Sequence, residues 1–156
     1  MATQPTNPPV HELSHEECWS RLRTMVVGRL ALAGEEHPEI FPVNYLVDRG
    51  TVMFRSDPGT KIAASLEKAR VAFEVDGFEP DTKEAWSVVV KGNLEPVLQT
   101  NDVVDAVTLP LFPWQYGHKA FFVRIVPVSM SGRRFVVAEP GHWISQLTGI
   151  PHAAEE

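Results

Sequence analysis

The spacing of apolar residues changes period along the chain, and the changes mark its elements. Cys18, Trp19, Leu22 and Met25 recur at helical spacing. A start signal precedes them: Ser14 and Glu17 have capping-box spacing, and Leu13 and Cys18 have staple spacing. From residue 26 the period shortens to that of strands. Strands are predicted over 26–33, 40–47, 52–56, 71–75, 86–97 and 120–126, with 134–137 extending or following the last. Turns fall at 34–38 and 48–50, and a charged loop at 79–84. Lys91-Gly92 inside the fifth strand suggests a bulge or a close approach. One helix interrupts the strands, over about 58–69, with Ile62, Ala63, Leu66 and Ala69 on one face. A short helix is expected over 102–107, capped by Thr100 or Asn101, followed by a Pro- and Trp-containing loop over 109–118. Strands outnumber helices and tight turns link them. The pattern is mainly β (α+β), an antiparallel barrel with a few flanking helices.

The 156 residues make one domain the default and allow a sizeable core. The expected division is a flexible N-terminal arm over 1–12, the barrel over 13–138 and a C-terminal tail over 139–156. In that tail Trp143, Ile144, Leu147 and Ile150 dock on a neighbouring surface or fray. Fourteen basic residues against 20 acidic ones give a formal charge of −6, which argues against a nucleic-acid partner. Residues 1–9 are polar and Pro-rich, with no apolar signal-peptide region, and no apolar run reaches the length of a membrane span. A soluble, cytoplasmic protein is expected. The single cysteine, Cys18, excludes an internal disulfide and lies on the apolar helix face, as a core residue would.

Candidate chemistry gathers in one stretch, Phe54-Arg55-Ser56-Asp57-Pro58-Gly59-Thr60-Lys61-Ile62. It reads as a strand end, a tight turn and a first helical turn, with Asp57 as the cap and Pro58 at the first helical position. Free backbone N–H groups at Gly59 and Thr60 would face an anion, with Arg55, Ser56, Thr60 and Lys61 as side-chain donors. Lys61 opposes the helix dipole, which a bound phosphate explains better than helix stability does. The competing reading is an ordinary capped helix with solvated basic residues. Elsewhere the usual catalytic signatures are missing. There is no Gly-rich dinucleotide fingerprint and no Walker-type loop. The six histidines have no metal-ligand spacing, and no metal is expected. No catalytic side chain can be named, so a bound cofactor fits the gap.

The order of short motifs carries a resemblance. Gly28-Arg29-Leu30-Ala31 is followed by Pro42-Val43-Asn44-Tyr45, Phe54-Arg55-Ser56, Gly59-Thr60-Lys61, Val71-Ala72-Phe73-Glu74-Val75-Asp76 and Trp86-Ser87-Val88-Val89-Val90-Lys91-Gly92. The series resembles the pyridoxamine 5′-phosphate oxidase-like flavin-binding family, in its small actinobacterial-type branch related to the nitroimidazole-reductase-like proteins. A looser likeness continues through Phe122-Val123-Arg124-Ile125 and Ser131-Gly132-Arg133-Arg134. The resemblance implies a six-stranded antiparallel split β-barrel that forms a homodimer, with one flavin mononucleotide (FMN) in each cleft between subunits. It implies that Arg55, Ser56, Thr60 and Lys61 hold the phosphate. Pro42, Val43, Asn44 and Tyr45 would run beside the ring, with Asn44 at its polar edge. Trp86 and Ser87 stand where the oxidase has an Arg-Gln pair facing the flavin, so this chain departs from the oxidase there. A barrel-lining role for Asn44 and Tyr45, or core packing for Trp86, is the competing reading. Arg133 and Arg134 lie near where a partner subunit would contribute basic contacts. The implied function is a flavin-dependent oxidoreductase for a small organic substrate. The alternatives are a deazaflavin-dependent reductase on the same fold and a non-enzymatic flavin carrier.

Overall fold

A computed structural model of the chain describes residues 9–97 and 121–137. The expected helix at 102–107, the loop at 109–118 and the tail after Glu139 lie outside the described residues. Nine elements follow in order: β1 (His11–Glu12), α1 (His15–Leu22), β2 (Val27–Leu32), β3 (Glu39–Asp48), β4 (Thr51–Ser56), α2 (Thr60–Leu66), β5 (Arg70–Glu79), β6 (Glu84–Pro96) and β7 (Phe121–Val136). The sheet order is β1-β7-β4-β3-β2-β5-β6, and β6 also pairs with β7. That last pairing closes six antiparallel strands into a barrel, the predicted fold class. β1 is an extra strand on the outside of β7: His11 and Glu12, the last residues of the expected arm, stand opposite Arg134 and Arg133.

Alternation along each strand puts one set of side chains inside. Leu30, Val43, Tyr45, Val52, Phe54, Phe73, Val75, Val88, Val90, Leu94, Val123 and Ile125 form a single core cluster. Burying this set supplies the main driving force, about 1.5–3 kcal/mol for each large side chain relative to exposure. The β3–β4 hairpin turns on Arg49 and Gly50, both with positive φ (46° and 71°). This is the two-residue geometry that matches strand twist. The bulge expected at Lys91-Gly92 is present as a register shift: Lys91 opposes Ser129 while Gly92 opposes Pro127. Val128 is the extra residue, on β7. The bulge also explains how β7 runs unbroken through Pro127, because a bulge tolerates a residue with no N–H to donate.

The helices close the barrel. The capping box of α1 forms as predicted: Ser14 N–H donates to Glu17 Oε2 (2.7 Å) and Glu17 N–H to Ser14 Oγ (3.2 Å). Cys18 and Leu22 are buried in the core cluster, with Trp19 packed against it. Met25 does not share that face: the helix stops at Leu22, and Met25 is exposed.

α2 departs further from expectation. It begins at Thr60, not Pro58, and its N-cap is Gly59 (φ 154°, ψ −152°), a backbone region nearly reserved for glycine. Asp57 therefore does not cap it. Its inner face is not Ile62, Ala63, Leu66 and Ala69: Ala63 and Leu66 are exposed, while Ser65 is buried. Ile62 and Ala64 pack on the core. Ser65 is satisfied there because its hydroxyl donates to the Ile62 carbonyl at 2.7 Å. The helix ends in a Schellman arrangement. Lys68 adopts positive φ (51°) and its N–H reaches Ser65 O, while Ala69 N–H reaches Ala64 O.

Candidate functional site

The strand alternation that builds the core also sorts the expected site residues. On β3, Val43 and Tyr45 point into the barrel and are buried, whereas Pro42 and Asn44 face outward. Tyr45 is an interior strut. Its hydroxyl donates to Leu22 O at 2.6 Å, its ring meets Phe73 edge-on at 5.0 Å, and burial pushes its pKa far above the ordinary phenol value. On β6, Trp86 is 4% exposed. Its indole fills the space over Gly77, where an added Cβ would come within 2.5 Å, and carries the Arg21 guanidinium 5.4 Å above the ring. Trp86 thus takes the core-packing alternative, and Ser87, its half-buried neighbour, faces outward.

Strand register brings distant residues into one outward row. Asn44 stands opposite Val27, and Asp76 opposite Ser87. The Arg29–Glu74 pairing, carried two residues along, sets Val27 beside Asp76. The Tyr45–Phe54 pairing, carried one residue, sets Arg55 beside Asn44. The row therefore reads Arg55, Asn44, Val27, Asp76, Ser87 across β4, β3, β2, β5 and β6. Its one carboxylate is balanced: Arg29 Nη1 lies 3.3 Å from Asp76 and 2.7 Å from Glu74.

The phosphate stretch sits at one end of this row, and its four named side chains diverge. The Arg55 guanidinium lies 5.4 Å from the Phe122 ring. The Lys61 ammonium lies 4.5 Å from the Phe41 ring. Ser56 is fully buried and its hydroxyl donates to Asp57 O at 3.0 Å, a local contact that leaves it turned from the surface. Thr60 lines a cavity of about 520 Å³ together with Glu35, Glu36, His37 and Glu39. Three carboxylates make that an unfavourable place for an anion.

Two late arginines are also accounted for. Arg134 Nη1 reaches Glu84 Oε2 at 3.2 Å while Arg21 Nη2 holds Glu84 Oε1 at 2.7 Å, so Arg134 serves an intramolecular cluster. Arg133 is exposed, opposite Ser87 across β6–β7. In the sequence Arg124 figures only as part of the loosely matching motif Phe122-Val123-Arg124-Ile125, with no site role attached. It faces outward on β7 opposite Met53 and Glu95, and its Nη2 is buried with no hydrogen-bond partner among the described residues. The one available signal was a charge at an outward position of an alternating strand. Cys18 is buried and its thiol pKa is raised by that burial, which removes it as a nucleophile. Among the described residues no group of His, Cys, Asp or Glu is placed to hold a metal, and no helix is long and apolar enough to cross a membrane.

Residues 14–134 match the family model described as pyridoxamine 5′-phosphate oxidase. Among solved structures, a candidate pyridoxamine 5′-phosphate oxidase of Corynebacterium glutamicum is 34% identical (TM-score 0.72), the match covering 84% of this chain and 97% of that one. The FAD binding protein of Mycobacterium smegmatis is 32% identical (TM-score 0.68), covering 81% and 98%. An FAD-binding protein of Mesorhizobium loti is 27% identical (TM-score 0.68), covering 85% and 100%. The family match runs from the cap of α1 at Ser14 to Arg134 in β7, and the chain belongs to the pyridoxamine 5′-phosphate oxidase-like split-barrel family.

Proposed function

We propose that the protein is a flavin-dependent oxidoreductase for a small organic substrate, working as a homodimer with the flavin between subunits. The observation that carries this reading is the outward row Arg55, Asn44, Val27, Asp76, Ser87. Asn44 and Ser87 stand three strand spacings apart in it, about 14 Å around the barrel at ~4.8 Å per strand. The donor set suits a flavin. Arg55 and Lys61 offer cations for the phosphate end, Val27 offers apolar surface, and the Asn44 amide and Ser87 hydroxyl offer polar contacts to a ring edge. Arg124 Nη2, without a hydrogen-bond partner among the described residues, adds a donor close by, since Arg124 lies diagonal to Arg55 across β4–β7. Thr60 fits less well, because of its acidic neighbours, so the phosphate falls to Arg55 and Lys61.

A bound flavin supplies hydride or electron transfer. The chain's residues bind and orient it. Tyr45 takes no part in proton transfer, because its hydroxyl is committed to Leu22 O and burial holds its proton. Two similar structures are FAD-binding proteins, so the flavin is either FMN or the FMN half of FAD. The test is the visible spectrum of the purified protein and the mass of the released cofactor, followed by rapid-mixing reduction with nicotinamide cofactors. A flavin mass and reduction followed by substrate turnover are expected. A deazaflavin mass, or a protein that binds no flavin, overturns the reading. A bound flavin that no reductant turns over makes the protein a carrier.

A further inference from the structure

A second row crosses the same outer surface near the other end of β2. Ala31 opposes Ala72, Ala72 opposes Lys91, and Lys91 opposes Ser129. Ala31 lies four residues from Val27, about 14 Å along the strand at ~3.4 Å per residue, so this row is separate from the one assigned above. A cavity of about 820 Å³ opens over it. That volume lies within the range typical of small-molecule sites.

Three features shape the cavity. The floor carries the small side chains of Ala31 and Ala72, which leave a depression where neighbouring positions would fill it. The β7 bulge throws its extra residue, Val128, up as an apolar wall that is 74% exposed. Two cations then stand over the floor. Arg70 opposes Asn93, next to the Ala72–Lys91 pair, so Arg70 and Lys91 are diagonal neighbours across β5–β6 and can reach one anionic group. Neither forms an ion pair among the described residues, and the Asn93 side chain makes no hydrogen bond there either. The contrast with Arg29, which the same sheet surrounds with Glu74 and Asp76, is direct.

We propose that this cavity binds a small aromatic or alicyclic carboxylate, with its apolar body on Ala31, Ala72 and Val128 and its carboxylate between Arg70 and Lys91. Apolar area and charge-assisted hydrogen bonds then act on opposite ends of one ligand. The inference does not depend on the flavin reading.

The test is calorimetric titration of the purified protein with 2-naphthoate and with its neutral analogue 2-naphthamide. The naphthoate is expected to bind at least about tenfold more tightly, since one charged hydrogen bond is of that order. Lys91→Met and Arg70→Met should each weaken naphthoate binding severalfold and leave naphthamide unchanged. Ala72→Leu should abolish binding of both. Cooperative thermal unfolding verifies that each variant is folded; Ala31→Leu replaces any variant that is not. Equal affinity for acid and amide, indifference to both charge variants, or no binding of naphthoate at millimolar concentration overturns the proposal.

Discussion

The hydroxyl of Tyr45 on β3 donates a 2.6 Å hydrogen bond to the carbonyl of Leu22, the last residue of α1. This contact ties the helix that closes one end of the barrel to a strand whose outer side carries Asn44. The carbonyl is one that helix geometry leaves without a partner. Tyr45→Phe should destabilise the protein by about 1–3 kcal/mol, the cost of a buried acceptor left unmade. Urea titration measures it. Burial raises the folded pKa of Tyr45 above its ordinary value of 10.0. Below pH 10 both states keep the proton and stability is unaffected; above it the unfolded chain ionises first, and stability falls by about 1.4 kcal/mol per pH unit. Tyr45→Phe should remove that alkaline slope.

Glu84 accepts from both Arg21 and Arg134 beside the indole of Trp86. Glu84→Ala leaves two cations facing each other at the foot of α1. A loss of about 1–3 kcal/mol is expected, because hydrogen bonds to charged groups are among the stronger ones. Glu84→Gln should cost less. Thermal unfolding of the two variants in parallel gives the comparison.

The phosphate assignment separates two adjacent residues. Lys61→Ala should weaken flavin affinity about tenfold or more, as loss of one charged contact does. Thr60→Ala should change it little, given the carboxylates of Glu35, Glu36 and Glu39 around it. Fluorescence titration of the cofactor-free protein reads both. Unchanged affinity in the Lys61→Ala, Thr60→Ala double variant would refute the assignment.

Arg124 carries a buried nitrogen without a hydrogen-bond partner among the described residues. An unmade buried donor costs about 1–3 kcal/mol. Arg124→Met keeps most of the volume and removes the donor, so the cofactor-free protein should melt at a higher temperature. The same variant should bind flavin less tightly if the anion sits beside Arg55. Glu95 faces Arg124 across β6–β7, so Glu95→Gln is the control: its flavin affinity should hold or rise.

Lys68 ends α2 in a left-handed conformation that glycine adopts without steric cost. Lys68→Gly should raise stability by about 0.5–1 kcal/mol, despite the added freedom of the unfolded chain. Lys68→Val should lower it, and denaturant midpoints compare the two.

What the sequence by itself determined is local. Period-two alternation located six strands, Ser14 and Glu17 located the start of α1, and Lys91-Gly92 located the bulge, because each depends on residues close in the chain. The order of motifs likewise named Asn44, Arg55, Lys61 and Ser87. Some local cues are disguised. Ser65 hides the inner face of α2 because a self-satisfied hydroxyl looks polar in a pattern, and Lys68 ends that helix without a glycine to announce it. Tertiary structure alone decided the rest. The β6–β7 pairing that closes the barrel joins segments whose alternation says which side is buried but not which strand is the neighbour. The other pairings, β3–β4, β2–β3, β2–β5 and β5–β6, line Arg55, Asn44 and Ser87 along one outer row. The β2–β5 and β5–β6 registers set Arg70 and Lys91 over a floor of alanines. Periodicity encodes burial, while register, a long-range property of paired backbones, decides which side chains meet.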